Sequence, residues 1–259
     1  MLTLESLTHP SNVLQLTNPG SFLNTTMMAG ACFTPKSWCS DSPGPSDAVL
    51  VDVEPSYFSG YVFRGDARPP MLIFDRGFEL QITSGSEMTH VKKTIGAKGG
   101  ITDHYGISTS ICAHVCTSYS TRASRNAPFP SYGNSGFVYL IDANGFKGFA
   151  IPSPRPWEPI VVQYPVLRDI FEVNFPSYIP GCYIVGIVWA MGTQVNGIDN
   201  CHGAWPHTLT RLWLAVNPNF EKNLYLTDKV MKGMDAAKYV VRQFNDQQVP
   251  ALLGMAKSS

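Results

Sequence analysis

The sequence predicts an α+β fold in which two sheets pack together and helices are few. Three observations lead there. Short runs of apolar and β-branched residues recur along the chain, punctuated by 22 glycines and 20 prolines. One longer segment, near the C-terminal end, repeats its apolar residues at helical spacing. Hydrophobic residues make up 44% of the chain against 15% charged, which is enough apolar material for a real core. A length of 259 residues suits one large domain or two small ones.

Residues 1–30 are rich in Ser, Thr, Asn, Leu and Gln and poor in charge, the composition of a flexible leader. They lack a basic start, an apolar block and a small-residue cleavage site, so a standard secretory signal is not expected. Ala31 to Ser46 is dense in Pro, Gly, Ser and Cys and reads as an irregular covering segment. The chain thus divides into a leader and covering segment, 1–47, and a single domain, 48–259. Ala48–Val53 and Gly60–Arg64 read as strands. Pro69 and Pro70 open a short helix, Met71 to Arg76, and Gly77 closes it. Gly85 to Gly106 has no clear type, and Ile111 to Thr117 is apolar and β-prone. After a turn-rich stretch, Gly136–Asp142 is a strand and Asn144-Gly145 a turn. Pro152 to Pro159 holds four prolines and reads as an exposed loop. Phe171–Phe175, Tyr183–Met191 and Arg211–Val216 read as further strands. Val230, Met234, Ala237, Val241 and Phe244 fall at helical spacing, with Thr227 or Asp228 as the cap.

Lys+Arg and Asp+Glu both number 19, so the formal charge is zero. A protein whose main partner is a nucleic acid needs a basic surplus, and no such partner is expected. No stretch approaches the ~18 apolar residues of a membrane span. The six cysteines include no C-x-x-C. Cys112 and Cys116 flank His114, and Cys201-His202 is a second hint of metal ligands, but the spacing is not that of a zinc site and no metal is expected. Cys32 and Cys39 could pair in an oxidising compartment or stay as thiols in a reducing one.

Two pieces of sequence carry chemistry. The first is Arg64-Gly-Asp66-Ala-Arg68-Pro-Pro70, followed by Ile73-Phe74 and Arg76-Gly77-Phe78. The second is Glu172-Val-Asn-Phe-Pro-Ser-Tyr-Ile179-Pro180, with Ile184 beyond it. Together they resemble the cholera- and pertussis-toxin family of mono-ADP-ribosyltransferases, the class with an arginine, a serine and a glutamate as signature. That family opens on R-x-D-x-R-P-P, an apolar pair and a G-F. Its catalytic glutamate is followed seven residues later by Ile-Pro and twelve residues later by another Ile. The resemblance covers roughly 61–191, half the chain.

What the resemblance implies is a split β-sandwich, NAD+ in its central cleft, release of nicotinamide and transfer of ADP-ribose to a target. Arg64 would hold phosphate and ribose oxygens through its planar fork, as lysine cannot. Gly65, Asp66 and Ser108 would line the dinucleotide, and Glu172 would stabilise the oxocarbenium-like sugar as the glycosidic bond breaks. The family also has a Ser-Thr-Ser strand that positions the glutamate. Two segments compete for that place. Ser108-Thr109-Ser110 matches letter for letter. Cys116-Thr117-Ser118 fits better by context, following Asp103-His104 and lying the usual distance before Phe137. The second is favoured, so Thr117 and Ser118 join Arg64 and Glu172 as expected catalytic residues.

One departure bears on the acceptor. Arginine-modifying members carry a second glutamate two residues before the catalytic one, and here Ile170 stands there. Ile170 can neither orient nor deprotonate a guanidinium. The expected acceptor is therefore not arginine but a hydroxyl or amide on a host protein. A threonine of ubiquitin, modified by one subgroup of bacterial effectors, is an acceptor of that kind. Tyr164 to Phe171 would face the acceptor, with Arg168 and Phe171 as contacts and Asp169 as a substitute base. The leader composition fits a bacterial protein secreted into the host cytoplasm. The alternatives are an NAD+ glycohydrolase and a catalytically silent copy of the fold that binds a partner. Trp157, Phe149, Glu221, His202 and His207 are read as packing or surface.

Overall fold

The computed structural model describes residues 3–28, 31–33, 56–80, 106–120, 136–150, 171–190, 211–224 and 228–247. The expected strand at Ala48–Val53, the stretch from Gly85 and the proline-rich loop lie outside them. Strand content dominates. β1 (Val13–Leu16), β10 (Leu212–Val216), β9 (Ile184–Ala190), β6 (Phe137–Asp142) and β4 (Tyr61–Asp66) lie side by side in that order. The sheet continues through β5 (Ile107–Ser110), β8 (Glu172–Phe175), β7 (Gly148–Ala150), β3 (Ser56–Ser59) and β2 (Cys32–Phe33). A separate hairpin joins β11 (Glu221–Leu224) to β12 (Lys229–Lys232). The helices are α1 (Leu4–Leu7), α2 (Pro19–Leu23), α3 (Pro70–Arg76), α4 (Ala113–Ser120) and α5 (Gly233–Asp246).

Strands are many and helices few, as the composition suggests. In place of two separate packed sheets, the described residues form one ten-stranded sheet beside the two-stranded hairpin. β4 pairs with β6 along its whole length, from Tyr61↔Asp142 to Asp66↔Phe137. With β5 it shares a single rung, Phe63↔Ser110. Arg64–Asp66 make no further rung with β5, and this unpaired stretch is the split between the two strands.

Both faces of the sheet's first half are covered, which is why β4, β6 and β9 read as nearly continuous apolar runs rather than alternating ones. Phe63, Leu140, Val188 and Leu214 face one core with Val240 and Phe244 of α5. Val62, Tyr139, Ile141 and Ile187 face another with Ile73 and Phe74 of α3.

The N-terminal stretch is not loose over 3–28. β1 is an edge strand on β10, and Leu16 and Phe22 are fully buried. Its polar residues have a structural use that composition conceals. Ser21 Oγ donates to the Phe244 carbonyl at 2.9 Å and Asn18 Nδ2 to the Gln247 carbonyl at 2.6 Å. Carbonyls at a helix C-terminus lack intrahelical partners, and these side chains supply them for α5. Asn245 answers in the other direction: its Oδ1 accepts from Thr17 N at 2.8 Å and its Nδ2 donates to the Gln15 carbonyl at 2.9 Å. Asn245→Ala removes both bonds and is expected to lower stability by about 1–3 kcal/mol. Urea unfolding should show an earlier midpoint at unchanged slope.

The C-terminal helix starts later than its periodicity suggests. Val230 belongs to β12 and is 48% exposed. Gly233, at φ +51°, turns the chain out of the hairpin, and its N–H bonds the Phe220 carbonyl at 2.7 Å. A left-handed residue interrupts the helical pattern, and pairing with β11 takes up the residues before it. Asp228 is in the hairpin turn, and the cap is Lys232.

Candidate active site

β4 carries Arg64, Gly65 and Asp66, and the chain then turns through Arg68 into α3. Pro69 is the cap and Pro70 opens the helix, where a missing N–H costs nothing. Gly77 ends it at φ +73°, donating to the Ile73 carbonyl at 2.8 Å. A Cβ here would stand 2.0 Å from the Ile179 carbonyl oxygen, so only glycine fits.

That close approach joins the two sequence motifs. Phe78 N donates to the Ile179 carbonyl at 2.8 Å and Ile179 N to the Phe78 carbonyl at 3.0 Å. The Gly-Phe of the first motif and the Ile-Pro of the second, a hundred residues apart, thus form one bridge beneath the site.

Asp66 organises the basic residues around it. It accepts from Arg68 through the backbone N–H, Nε and Nη2 at 2.9, 2.9 and 2.6 Å. Arg64 Nε reaches it at 3.3 Å. Burial by itself would raise the Asp66 pKa, but the Arg68 hydrogen bonds and the Arg64 charge outweigh it and hold the carboxyl below its usual range. Burial is also the main reason the Arg64 pKa is lowered, against the opposing pull of Asp66. Both guanidinium carbons lie over the Phe78 ring, at 5.1 and 5.6 Å from its centroid. Tyr139 Oη donates to the Arg68 carbonyl at 2.6 Å, fixing the turn from the next strand.

Arg64 then crosses the split. Its Nη1 donates to the Ser108 carbonyl on β5 at 2.6 Å. A guanidinium has five N–H donors. With one on Asp66 and one on Ser108, the remaining donors can serve a ligand.

On its other edge β5 pairs with β8. Ser110 stands opposite Glu172 and Ser108 opposite Asn174. Directly opposed residues of antiparallel strands share a face. Ser108, Ser110, Glu172 and Asn174 therefore line one side, with Asn174 Nδ2 donating to Ser108 Oγ at 3.4 Å. Thr109 points to the other side, where its hydroxyl donates to the Val173 carbonyl at 2.7 Å. Glu172 is buried at 8% exposure. Phe171, just before it, sits at φ +47°, an uncommon backbone for a bulky residue and of the kind that clusters at functional sites.

The favoured register for the serine strand is corrected. Cys116, Thr117 and Ser118 lie on α4, not on a strand. Ser108-Thr109-Ser110 is the strand beside Glu172. The reason is tertiary. The Ile111 carbonyl is taken by Thr25 N at 3.1 Å and the Cys112 thiol by the Leu23 carbonyl at 2.6 Å, so the N-terminal segment turns the chain off the sheet. Ala113 and Cys116 then meet the core at helical spacing despite β-prone letters.

The structure thus gathers Arg64, Gly65, Asp66 and Ser108 at the split, sets Glu172 in a rung with Ser110, and leaves Thr117 and Ser118 on the helix. At the shared rung of Phe63, Ser110 and Glu172, β4 and β8 lie on either side of β5, about 10 Å apart at ordinary strand spacing. Sequence reasoning missed Tyr139 and Asn174, which carry no motif. Asp103, His104, Trp157, Tyr164, Arg168, Asp169, Ile170, Cys201, His202 and His207 lie outside the described residues. Among the described residues no group of three His, Cys, Asp or Glu could hold a metal. No helix among them is long and apolar enough to cross a membrane.

No protein-family model matches the chain, and no curated protein matches it. Among solved structures a guanine-specific ADP-ribosyltransferase is similar over 59% of this chain and 79% of its own, at 20% identity and a TM-score of 0.34. So slight a likeness carries no inference about activity, and the site's own residues must supply it.

Proposed function

We propose that this chain is an NAD+-dependent mono-ADP-ribosyltransferase acting on a protein. One observation carries the proposal: Arg64 on β4 reaches across to the Ser108 carbonyl of β5, and β5 in turn holds Glu172 of β8 opposite Ser110. Arg64 would grip the diphosphate and ribose of NAD+ with the N–H groups it does not spend on Asp66 and Ser108. Asp66, Arg68 and Phe78 hold that guanidinium in place before substrate arrives, so little ordering is left to do on binding. Glu172 would bond the 2′-hydroxyl of the nicotinamide ribose. The bond between C1′ and the nicotinamide nitrogen breaks, and its electron pair leaves with nicotinamide. The positive charge that grows on the sugar meets a carboxylate already in position. The acceptor oxygen or nitrogen then bonds C1′ and gives up its proton.

Ile170 supports an acceptor other than arginine, and a hydroxyl, such as the threonine of ubiquitin, is the finer proposal. The leader composition supports a bacterial effector acting in a host cytoplasm. Water as acceptor would make the protein an NAD+ glycohydrolase. The test is incubation with labelled NAD+ with and without eukaryotic lysate. Nicotinamide release with label on a protein band is the expected result. Free ADP-ribose as sole product would make it the hydrolase. No release at all would leave a silent binding fold. Arg64→Lys is expected to weaken NAD+ binding roughly 10–100-fold, since a point charge replaces a planar fork; calorimetry checks it.

A further inference from the structure

A guanidinium that must meet a substrate in one orientation needs its own supports held. Arg64 rests on the Phe78 ring and on Asp66, which Arg68 in turn bonds through its backbone N–H, Nε and Nη2. Both supports lead back to one side chain. Tyr139 stands directly opposite Arg64 in the β4–β6 register, so the two share a face. Its hydroxyl donates to the Arg68 carbonyl at 2.6 Å. The Arg68 N–H is already bonded to Asp66 Oδ1 at 2.9 Å, so the Arg68 backbone is pinned on both sides. The Tyr139 ring meets the Phe78 ring edge to face, with centroids 5.5 Å apart at 79°, and Phe74 packs on it at 6.3 Å and 85°. Tyr139 is fully buried. A buried hydroxyl costs free energy unless it is bonded, and phenylalanine would fill an apolar core as well.

We propose that Tyr139 is a positioning residue: from β6 it holds the Arg68 turn through its hydroxyl and the Phe78 ring through its own ring, and so sets where the Arg64 guanidinium meets NAD+. This rests on the functional proposal above. The contacts lie on β4, β6 and the turn into α3, whereas Glu172 lies on β8. Tyr139 therefore acts on the binding of the dinucleotide and not on the breaking of its glycosidic bond. The hydroxyl takes no part as an acid, since its one proton is given to a carbonyl within the protein.

Tyr139→Phe keeps the ring and the packing around it, so the variant folds, and it removes the bond to Arg68. It is expected to raise the Kd for NAD+ roughly 3–10-fold, the scale of one hydrogen bond. The kcat for nicotinamide release at saturating NAD+ should stay within about 2-fold. A tyrosine that only fills the core would leave Kd unchanged and move only the unfolding midpoint. A cycle with Arg64→Lys separates action through Arg64 from a general loosening. A hydroxyl that works by placing the planar fork has little left to place once lysine stands there, so Tyr139→Phe should then add less than about 2-fold. In the free protein, exchange of the Arg64 Nε proton, which faces Asp66, should speed up in Tyr139→Phe when followed by NMR. An unchanged Kd in Tyr139→Phe, a loss of kcat as large as the loss of affinity, or fully multiplicative losses in the cycle overturns the proposal. A wild-type protein that binds no NAD+ overturns the functional proposal instead. Exchange at Arg64 Nε then decides the positioning by itself, and an unchanged rate overturns that as well.

Discussion

Glu172→Gln is expected to slow nicotinamide release from NAD+ on the order of 10²–10³-fold while NAD+ affinity stays within about 3-fold. Glutamine keeps the shape and a hydrogen-bonding oxygen but not the charge. Bound NAD+ has no oxocarbenium character on the sugar, so a neutral side chain holds it nearly as well. The transition state has that character, and the lost attraction appears there. The site is built to make that loss large: Glu172 is 8% exposed, and it sits in a paired strand rather than on a loop. Single-turnover nicotinamide release and calorimetric NAD+ titration read the two quantities separately. A Glu172→Gln protein that still turns over normally removes Glu172 from the chemistry. One that cannot bind NAD+ makes it a binding group.

The second large effect concerns stability. Lys222→Met is expected to cost about 3–5 kcal/mol. Lys222 Nζ lies 2.6 Å from Asp142 Oδ2, with side-chain exposures of 12% and 5%, and 5.2 Å from the centre of the Tyr61 ring. Asn144 donates to the other carboxylate oxygen through its backbone N–H and its side chain. The pair fastens the β11–β12 hairpin to the end of β4 and β6. Methionine fills the space but strands a carboxylate in a buried place. Replacing both partners, Lys222→Met with Asp142→Asn, should recover much of the loss, because the penalty belongs to the unpaired charge. Chemical denaturation of the two single variants and the double variant measures the coupling. Additive losses would show that the two groups do not act as a pair.

Much of this fold was legible where local chemistry and tertiary placement agree. Pro69-Pro70 and Gly77 bound α3 because a helix start tolerates a missing N–H and its stop needs a left-handed residue. Phe137–Ile141 is apolar at every position because both faces of the strand are covered. Other elements were hidden because distant partners decide them. β1 is four residues of unremarkable composition whose strand state depends on β10. β7 is three residues held between β3 and β8. α4 is a helix of β-prone letters because Leu23 and Thr25 hold the chain just before it. For the candidate site, the two motifs that carry Arg64 and Glu172 were readable, and the Phe78–Ile179 bridge joins them. The serine strand was not, since two segments carried competing signatures and only the pairing of β5 with β8 separates them.

The knot of hydrogen bonds between residues 15–21 and 244–247 also constrains when the molecule can mature. Its partners are some 230 positions apart in the sequence, as Gln15 and Asn245 are. Contacts so distant demand the largest loop closure and therefore form late. On the ribosome, which releases residues in order, β1 cannot complete these contacts until α5 emerges. Leu23 and Thr25, just after that segment, hold the chain where it leaves the sheet past Ser110. The rung between Ser110 and Glu172 should therefore reach its final geometry only when synthesis has passed the last turn of that helix.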